Sequence, residues 1–368
     1  MAYTNLSAAL VSVVAMLSAG CLHAGDGEQS TPRTGPTVAP VTLANRGTSE
    51  AAYVVDNRLF RPGGDGPVKL AGAVNVNLGG NLAPVAVQNP AGTAIVYTSW
   101  RGRRPVLRLR DERTGVDSVL EEGAHSAAWD RAGRLAYFKA TRPDFGDPRR
   151  YLGHVVVRTS RARPPRAWTP RAGRYVVAGW ARGMVVAYRL GTGFPDLVVL
   201  DGPGRERVLA RGSALVALSP DGARAFVSRY GVTPPLVRVL DVASGGEIAR
   251  LGVDRGTAAY VVESGSWVGD RVFATSTTGV VVFRVTATGI AVERVLRTEH
   301  QFPGGIGETR AVGDRGRVVT FGELPSQPRE AVPRAALVEC DVETFRCVRV
   351  AVASSAAPPR PIYNPSRP

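Results

Sequence analysis

The chain has 368 residues, 44% of them hydrophobic, which is enough to bury a sizeable core and to form a globular protein. It carries 46 Lys and Arg against 31 Asp and Glu, for a formal charge of +15, and Lys69 and Lys139 are its only lysines. Two readings of the arginine excess stand: an anion-binding surface, since guanidinium suits phosphate and carboxylate, or the codon usage of a GC-rich genome.

Residues 6–20 are apolar or small and uncharged, and Cys21 follows at once. A run of about 15 residues is short for a membrane-spanning helix, which needs ~20, but suits the apolar region of a signal peptide. Leu17-Ser18-Ala19-Gly20-Cys21 resembles the lipobox of bacterial lipoproteins, with Ser18 where leucine is preferred and no Lys or Arg ahead of the run. The resemblance implies a signal peptide over 1–21, lipidation of Cys21, and a chain anchored to the outer face of the bacterial cytoplasmic membrane. The alternative is an ordinary secretory signal and a free, secreted protein. Residues 22–50, rich in Gly, Thr, Pro and Ala, read as a flexible tether.

From residue 84 onward six turn signals recur, each feeding a short apolar run: Asn89-Pro90-Ala91-Gly92, Asp130-Arg131-Ala132-Gly133, Ala181-Arg182-Gly183, Ser219-Pro220-Asp221-Gly222, Val268-Gly269-Asp270 and Gly313-Asp314-Arg315-Gly316. Successive turn glycines (92, 133, 183, 222, 269 and 316) are 41, 50, 39, 47 and 47 residues apart. A four-stranded unit at that period predicts an all-β fold, a β-propeller of antiparallel blades. Residues 51–78 supply either a seventh, smaller blade or an outer strand that closes a six-bladed ring, so the propeller is expected over 51–352 with six or seven blades. The clearest unit divides into strands at 214–218, 223–228, 236–241 and 247–251. Its turn uses Pro220 to preset φ and Asp221-Gly222 to tolerate left-handed geometry.

Leu218-Ser219-Pro220-Asp221-Gly222-Ala223-Arg224-Ala225-Phe226-Val227 is similar to the repeat of the TolB-like, WD40-like (PD40-type) propellers. Ala127-Ala128-Trp129-Asp130-Arg131-Ala132-Gly133-Arg134-Leu135-Ala136-Tyr137 resembles a degraded copy of it. The likeness covers about 85–352. Trp129, Trp180 and Trp267 each precede a turn, and this recurrence assigns them to packing between neighbouring blades rather than to an aromatic ligand platform.

Cys340 and Cys347 flank a hairpin turn at facing positions, which favours a disulfide and an oxidising compartment; metal binding is the rival reading, without a nearby His. The proline-rich tail, 353–368, is expected to hang free.

Propellers present ligands on the face built from loops between second and third strands and between blades. That face is expected to carry Arg101, Arg103 and Arg104, Arg149 and Arg150 from the long loop 141–151, and the segment 301–308. The five arginines form a candidate anion site, with Asp144, Asp147, Glu121 and Glu122 as its neutralising neighbours. His125 and His154 flank one unit and are placed to meet at its rim. No nucleophile elbow, phosphate-cradling loop or dense calcium loop is present: in Gly265-Ser266-Trp267-Val268-Gly269 the serine falls one place early.

The sequence therefore predicts a non-enzymatic binding module. It would be monomeric and without cofactor or metal, engaging an envelope protein or an anionic envelope polymer and no nucleic acid. The second reading is a secreted propeller enzyme, a hydrolase or lyase acting on a glycan, phosphate ester or peptide. A third is salt-sensitive attachment to anionic lipid or wall polymer through arginine.

Overall fold

The computed structural model describes residues 35–44, 49–62, 66–71, 84–102, 104–141, 151–160, 162–232, 234–253, 262–303, 305–314, 316–325, 334–354 and 360–362. These residues are all strand, turn and irregular backbone, and no helix among them is long and apolar enough to cross a membrane.

Among the described residues the strands form seven sheets, each built on an antiparallel blade of four strands, with a fifth strand added to two of them. Blade 5 is the plainest: Ser213–Leu218, Arg224–Arg229, Leu236–Asp241 and Glu247–Gly252. These bounds follow the predicted ones within a residue or so. Val and Ala recur in the second and third strands of blades 4 to 7, and most of their side chains there are buried, as a blade sandwiched between two others requires.

Seven apolar clusters hold the ring, and each spans one seam between consecutive blades. The cluster joining blades 5 and 6 centres on Phe226, Trp267 and Phe283, all nearly inaccessible to solvent. The one joining blade 7 to blade 1 brings Val312, Val319 and Leu337 against Ala51 and Tyr53, which makes the ring closed.

The seven-blade alternative is the observed one, and both termini take part in a way the sequence did not suggest. Blade 1 contains Tyr53–Val55, Arg58–Phe60 and Val68–Lys69, and its inner strand is Arg360–Pro361 from the far end of the chain. The expectation of a free tail over 353–368 is thereby corrected at 353–354 and 360–362, the rest of it lying outside the described residues. The outer strand of blade 7 runs on to Ser354, and the Ile362 amide donates to the Ala52 carbonyl at 2.9 Å. Proline is tolerated because a two-residue pairing asks for few backbone donors.

The tether expected over 22–50 is corrected at 37–44, while 22–34 and 45–48 lie outside the described residues. Thr37–Pro40 adds a parallel fifth strand to the outer edge of blade 6, and Thr42–Ala44 does the same for blade 7. An outer edge leaves one side of the added strand in solvent, so Pro40 fits there, and the alternation of Thr with Val and Leu suffices. The sheet therefore extends beyond the predicted limits of 51 and 352 in both directions.

The Cys340–Cys347 bridge joins the facing third and outer strands of blade 7, with Cα atoms 4.0 Å apart and both residues buried. Exchanging both cysteines for alanine is expected to lower stability by roughly 2–3 kcal/mol, the entropy of so short a closed loop. Denaturant midpoints of the wild type and the double variant, with and without reductant, check this.

Candidate functional site

In blades 3, 4 and 5 the innermost strands run toward the same end of the central channel. They are Ala124–Trp129, Tyr175–Ala181 and Ser213–Leu218. Each carries a β-bulge, between His125 and Ala127, Val177 and Gly179, and Leu215 and Ala217. The bulges tilt the strand ends and open backbone groups to the next blade. Thus the Ser126 hydroxyl accepts from the Val177 amide at 3.1 Å, and the Tyr188 hydroxyl accepts from the Leu215 amide at 2.7 Å.

The turns that follow are built by short polar side chains. The Asp130 carboxylate accepts from the Arg134 amide at 2.6 Å, and the Ser219 hydroxyl accepts from the Arg224 amide at 2.8 Å. Gly222 sits at φ +68°, and a Cβ there would fall 2.8 Å from the Arg182 nitrogen. Only glycine lets the turns of blades 4 and 5 approach this closely.

Between these turns and the channel lies a cavity of about 350 Å³. Indoles form much of its wall. Trp180, half-buried, donates Nε1–H to the Ala128 carbonyl at 2.9 Å and meets Trp168 edge-on at 5.5 Å. Trp267 packs at 90° against Phe226 of the preceding blade, and Trp129 joins the cluster between blades 2 and 3. Packing between blades, as predicted, is their first role. All three also line the cavity.

The charged lining is four arginines, at 131, 134, 182 and 310, against two aspartates, Asp130 and Asp221. Both aspartates are tied up locally. Asp130 is paired with Arg134. The Ser219 hydroxyl and then the Ala223 amide hold the Asp221 carboxyl below the usual carboxylate range, with Arg182 3.5 Å away. Arg134 stacks on Trp180 with its guanidinium carbon 4.8 Å from the ring centroid. Arg310 donates to the Gly265 carbonyl at 2.8 Å and pairs with buried Glu308 behind the wall. Exposed Arg131 reaches from the turn of blade 3 to the Pro220 carbonyl on the turn of blade 5, passing over blade 4. The site thus offers aromatic faces, a positive balance and a rigid frame.

Of the five predicted arginines, the two that are described, Arg101 and Arg104, lie elsewhere. Arg101 and Arg104 face each other across the hairpin between the second and third strands of blade 2, the opposite end of the blade from its first turn. Arg101 is paired with Glu122 at 2.9 Å. Arg103, Arg149 and Arg150 lie outside the described residues, as do Asp144 and Asp147. Glu121 is engaged by Lys139 at 2.8 Å and Arg158 at 3.4 Å.

His125 and His154 do not meet. They sit on the first and third strands of blade 3 with the second between them, His125 buried against Phe138 and His154 bonded to Thr169. Among the described residues no group of three or more His, Cys, Asp or Glu is arranged to hold a metal ion. Arg131, Arg134, Arg182 and Arg310 were missed by sequence reasoning. For Arg131, Arg134 and Arg182 the signal is the recurrent pairing of a tryptophan with an arginine at the turns of blades 3 and 4, which the packing role of tryptophan obscures; Arg310, on the first strand of blade 7, carries no such signal.

No protein-family model matches the chain, and no curated protein matches it. Solved structures do. The β-propeller domain of the Trilobed protease from Pyrococcus furiosus is 12% identical with a TM-score of 0.50, covering 82% of this chain and 95% of that domain. TolB from Acinetobacter baumannii is 14% identical with a TM-score of 0.48, covering 84% of this chain. The chain spans 65% of that TolB's length. Acylaminoacyl peptidase from Pyrococcus horikoshii is 13% identical with a TM-score of 0.46, covering 73% of this chain and 45% of that one. The Pyrococcus furiosus domain is described as having an open velcro topology, whereas here Arg360–Pro361 pairs with Tyr53–Val54. At such identities the likeness is one of architecture, and by its architecture this chain is a seven-bladed β-propeller.

Proposed function

We propose that this chain is an extracytoplasmic binding module that takes its ligand at the channel mouth formed by the first turns of blades 3, 4 and 5. The observation that carries this reading is the cavity itself, walled by three indoles and rimmed by arginines on a closed ring. Rigid scaffolds with aromatic walls and a few placed polar groups are the usual form of a ligand site. The opposite end of the propeller has less support, since Arg101 is already neutralised by Glu122.

The Cys340–Cys347 bridge supports an oxidising location. The lipobox-like Leu17-Ser18-Ala19-Gly20-Cys21 supports a membrane anchor at Cys21. Cells fed a labelled fatty acid are expected to label the wild type and leave Cys21→Ser unlabelled, with the variant appearing in the soluble fraction. Equal labelling of both removes the anchor from the reading.

The site is tested by in-cell photo-crosslinking. A photo-reactive residue in place of exposed Ala132, at the cavity rim, is expected to give an adduct of defined mass. The same residue in place of exposed Phe194, on a loop between second and third strands, is expected to give none. Adducts from 194 and not from 132 would move the site to the other face.

A further inference from the structure

Resting on that reading, we propose that the ligand is a peptide segment bearing a carboxylate, and that Arg131 is the latch that receives it. Arg131 is exposed, and its bond to the Pro220 carbonyl spans the cavity mouth between turns two blades apart. A neutral carbonyl is the weaker partner for a guanidinium. A carboxylate replacing it keeps the hydrogen bond, adds the opposite charge, and allows a bidentate pairing that a single carbonyl oxygen does not. The exchange leaves little behind, because Pro220 is exposed and its carbonyl is rehydrated.

The rest of the lining favours a negative guest with an apolar neighbour. Asp130 and Asp221 are held by Arg134, Arg182 and turn donors, so they do not repel it strongly. The indoles of Trp129 and Trp180 supply the apolar wall. Among the described residues the lining contains no Asn, Gln, Glu or His, and its two carboxylates, Asp130 and Asp221, are already engaged, which leaves few free acceptors for an array of sugar hydroxyls and favours a peptide over a glycan. Opening the latch also uncovers the cavity, so capture of the carboxylate and entry of the adjacent side chain are one event.

The test selects displayed random dodecapeptides on the full chain. The enriched peptides are then synthesised and titrated by calorimetry against the wild type, Arg131→Gln, Arg101→Gln and Ala178→Phe. Ala178 is a half-buried lining residue, and phenylalanine there fills the cavity. Matching thermal midpoints confirm that each variant is folded.

Enriched peptides are expected to carry Asp or Glu beside an apolar residue. Their affinity is expected to fall on the order of tenfold both on Arg131→Gln and on exchanging the peptide's Glu for Gln, as for loss of one charge-assisted bond. Arg101→Gln, at the other end of the propeller, should bind as the wild type does. Peptides blocked by Ala178→Phe but indifferent to Arg131→Gln would leave the cavity reading standing and overturn the latch. Peptides indifferent to both, or no enrichment, would overturn both.

Discussion

Replacing Glu308 by alanine is expected to lower stability by about 3–5 kcal/mol, the usual result of removing one partner from a buried ionic group. The Glu308 carboxylate is 3% exposed and is shared by two guanidinium groups. Arg310 donates Nε–H to Oε1 at 2.7 Å, and Arg360 Nη1 lies 3.8 Å from Oε2. The Arg360 side chain is 7% exposed and lies over the Phe321 ring at 4.1 Å. Burial pulls its pKa below the ordinary arginine value, and the charge of Glu308 opposes that pull. Without Glu308, buried Arg360 and half-buried Arg310 lose the carboxylate they share at the seam between blades 7 and 1. Urea midpoints of the wild type, Glu308→Ala and Glu308→Ala/Arg360→Met measure the effect. The double variant is expected to recover part of the loss, because it removes the more deeply buried of the two cations that shared the carboxylate. A single variant as stable as the wild type would show that the cluster contributes nothing to closure.

Gly279→Ala is expected to be the most damaging single-methyl addition in blade 6, with a loss above about 4 kcal/mol and little soluble protein. Gly279 opens the third strand, Gly279–Val285, at φ +147°, a conformation that side chains rarely adopt. A Cβ there would lie 1.9 Å from the Leu296 carbonyl oxygen and 3.1 Å from the Thr298 nitrogen. Both are backbone atoms of the neighbouring chain segment, so no side-chain rotation relieves the clash. The partner strand must move, and it is the one on which Thr37–Pro40 is paired. Gly289→Ala is the control. Its added methyl would meet only the Thr286 hydroxyl oxygen at 3.9 Å, and no change in yield or midpoint is expected.

The regular part of this fold was written plainly in the chain, and the closing parts were not. The Ser219-Pro220-Asp221-Gly222 turn and the valine runs around it defined blade 5 because each strand there is long enough to show its period. Arg360–Pro361 is two residues long and Thr42–Ala44 three, too short for any periodicity, and proline next to a pairing residue argues the wrong way. A second repeat passed unnoticed. Asp111, Asp241 and Asp341 each close the third strand of a blade and accept backbone amides from the turn that follows, at 2.7 to 3.0 Å. Asp111-Glu112-Arg113-Thr114, Asp241-Val242-Ala243-Ser244 and Asp341-Val342-Glu343-Thr344 share that acid and a hydroxyl residue three places on. The cavity went unread for a different reason. Sequence assigned function to long loops, but the cavity forms where tight turns of three blades converge, which depends on the curvature of the whole ring.

Stitching both termini into the sheet sets an order of assembly. The Thr42 hydroxyl bonds to the carbonyl of a residue 303 positions away, and Tyr53 pairs with Pro361. Blades 2 to 5 are built from local hairpins and form early, since neighbouring segments meet with little loss of chain entropy. Blades 1, 6 and 7 reach their full complement only when the two ends of the polypeptide find positions already built. A chain made from its N-terminus therefore remains an open arc with an unpaired edge at blade 1 until Arg360–Pro361 emerges and converts that arc into a ring.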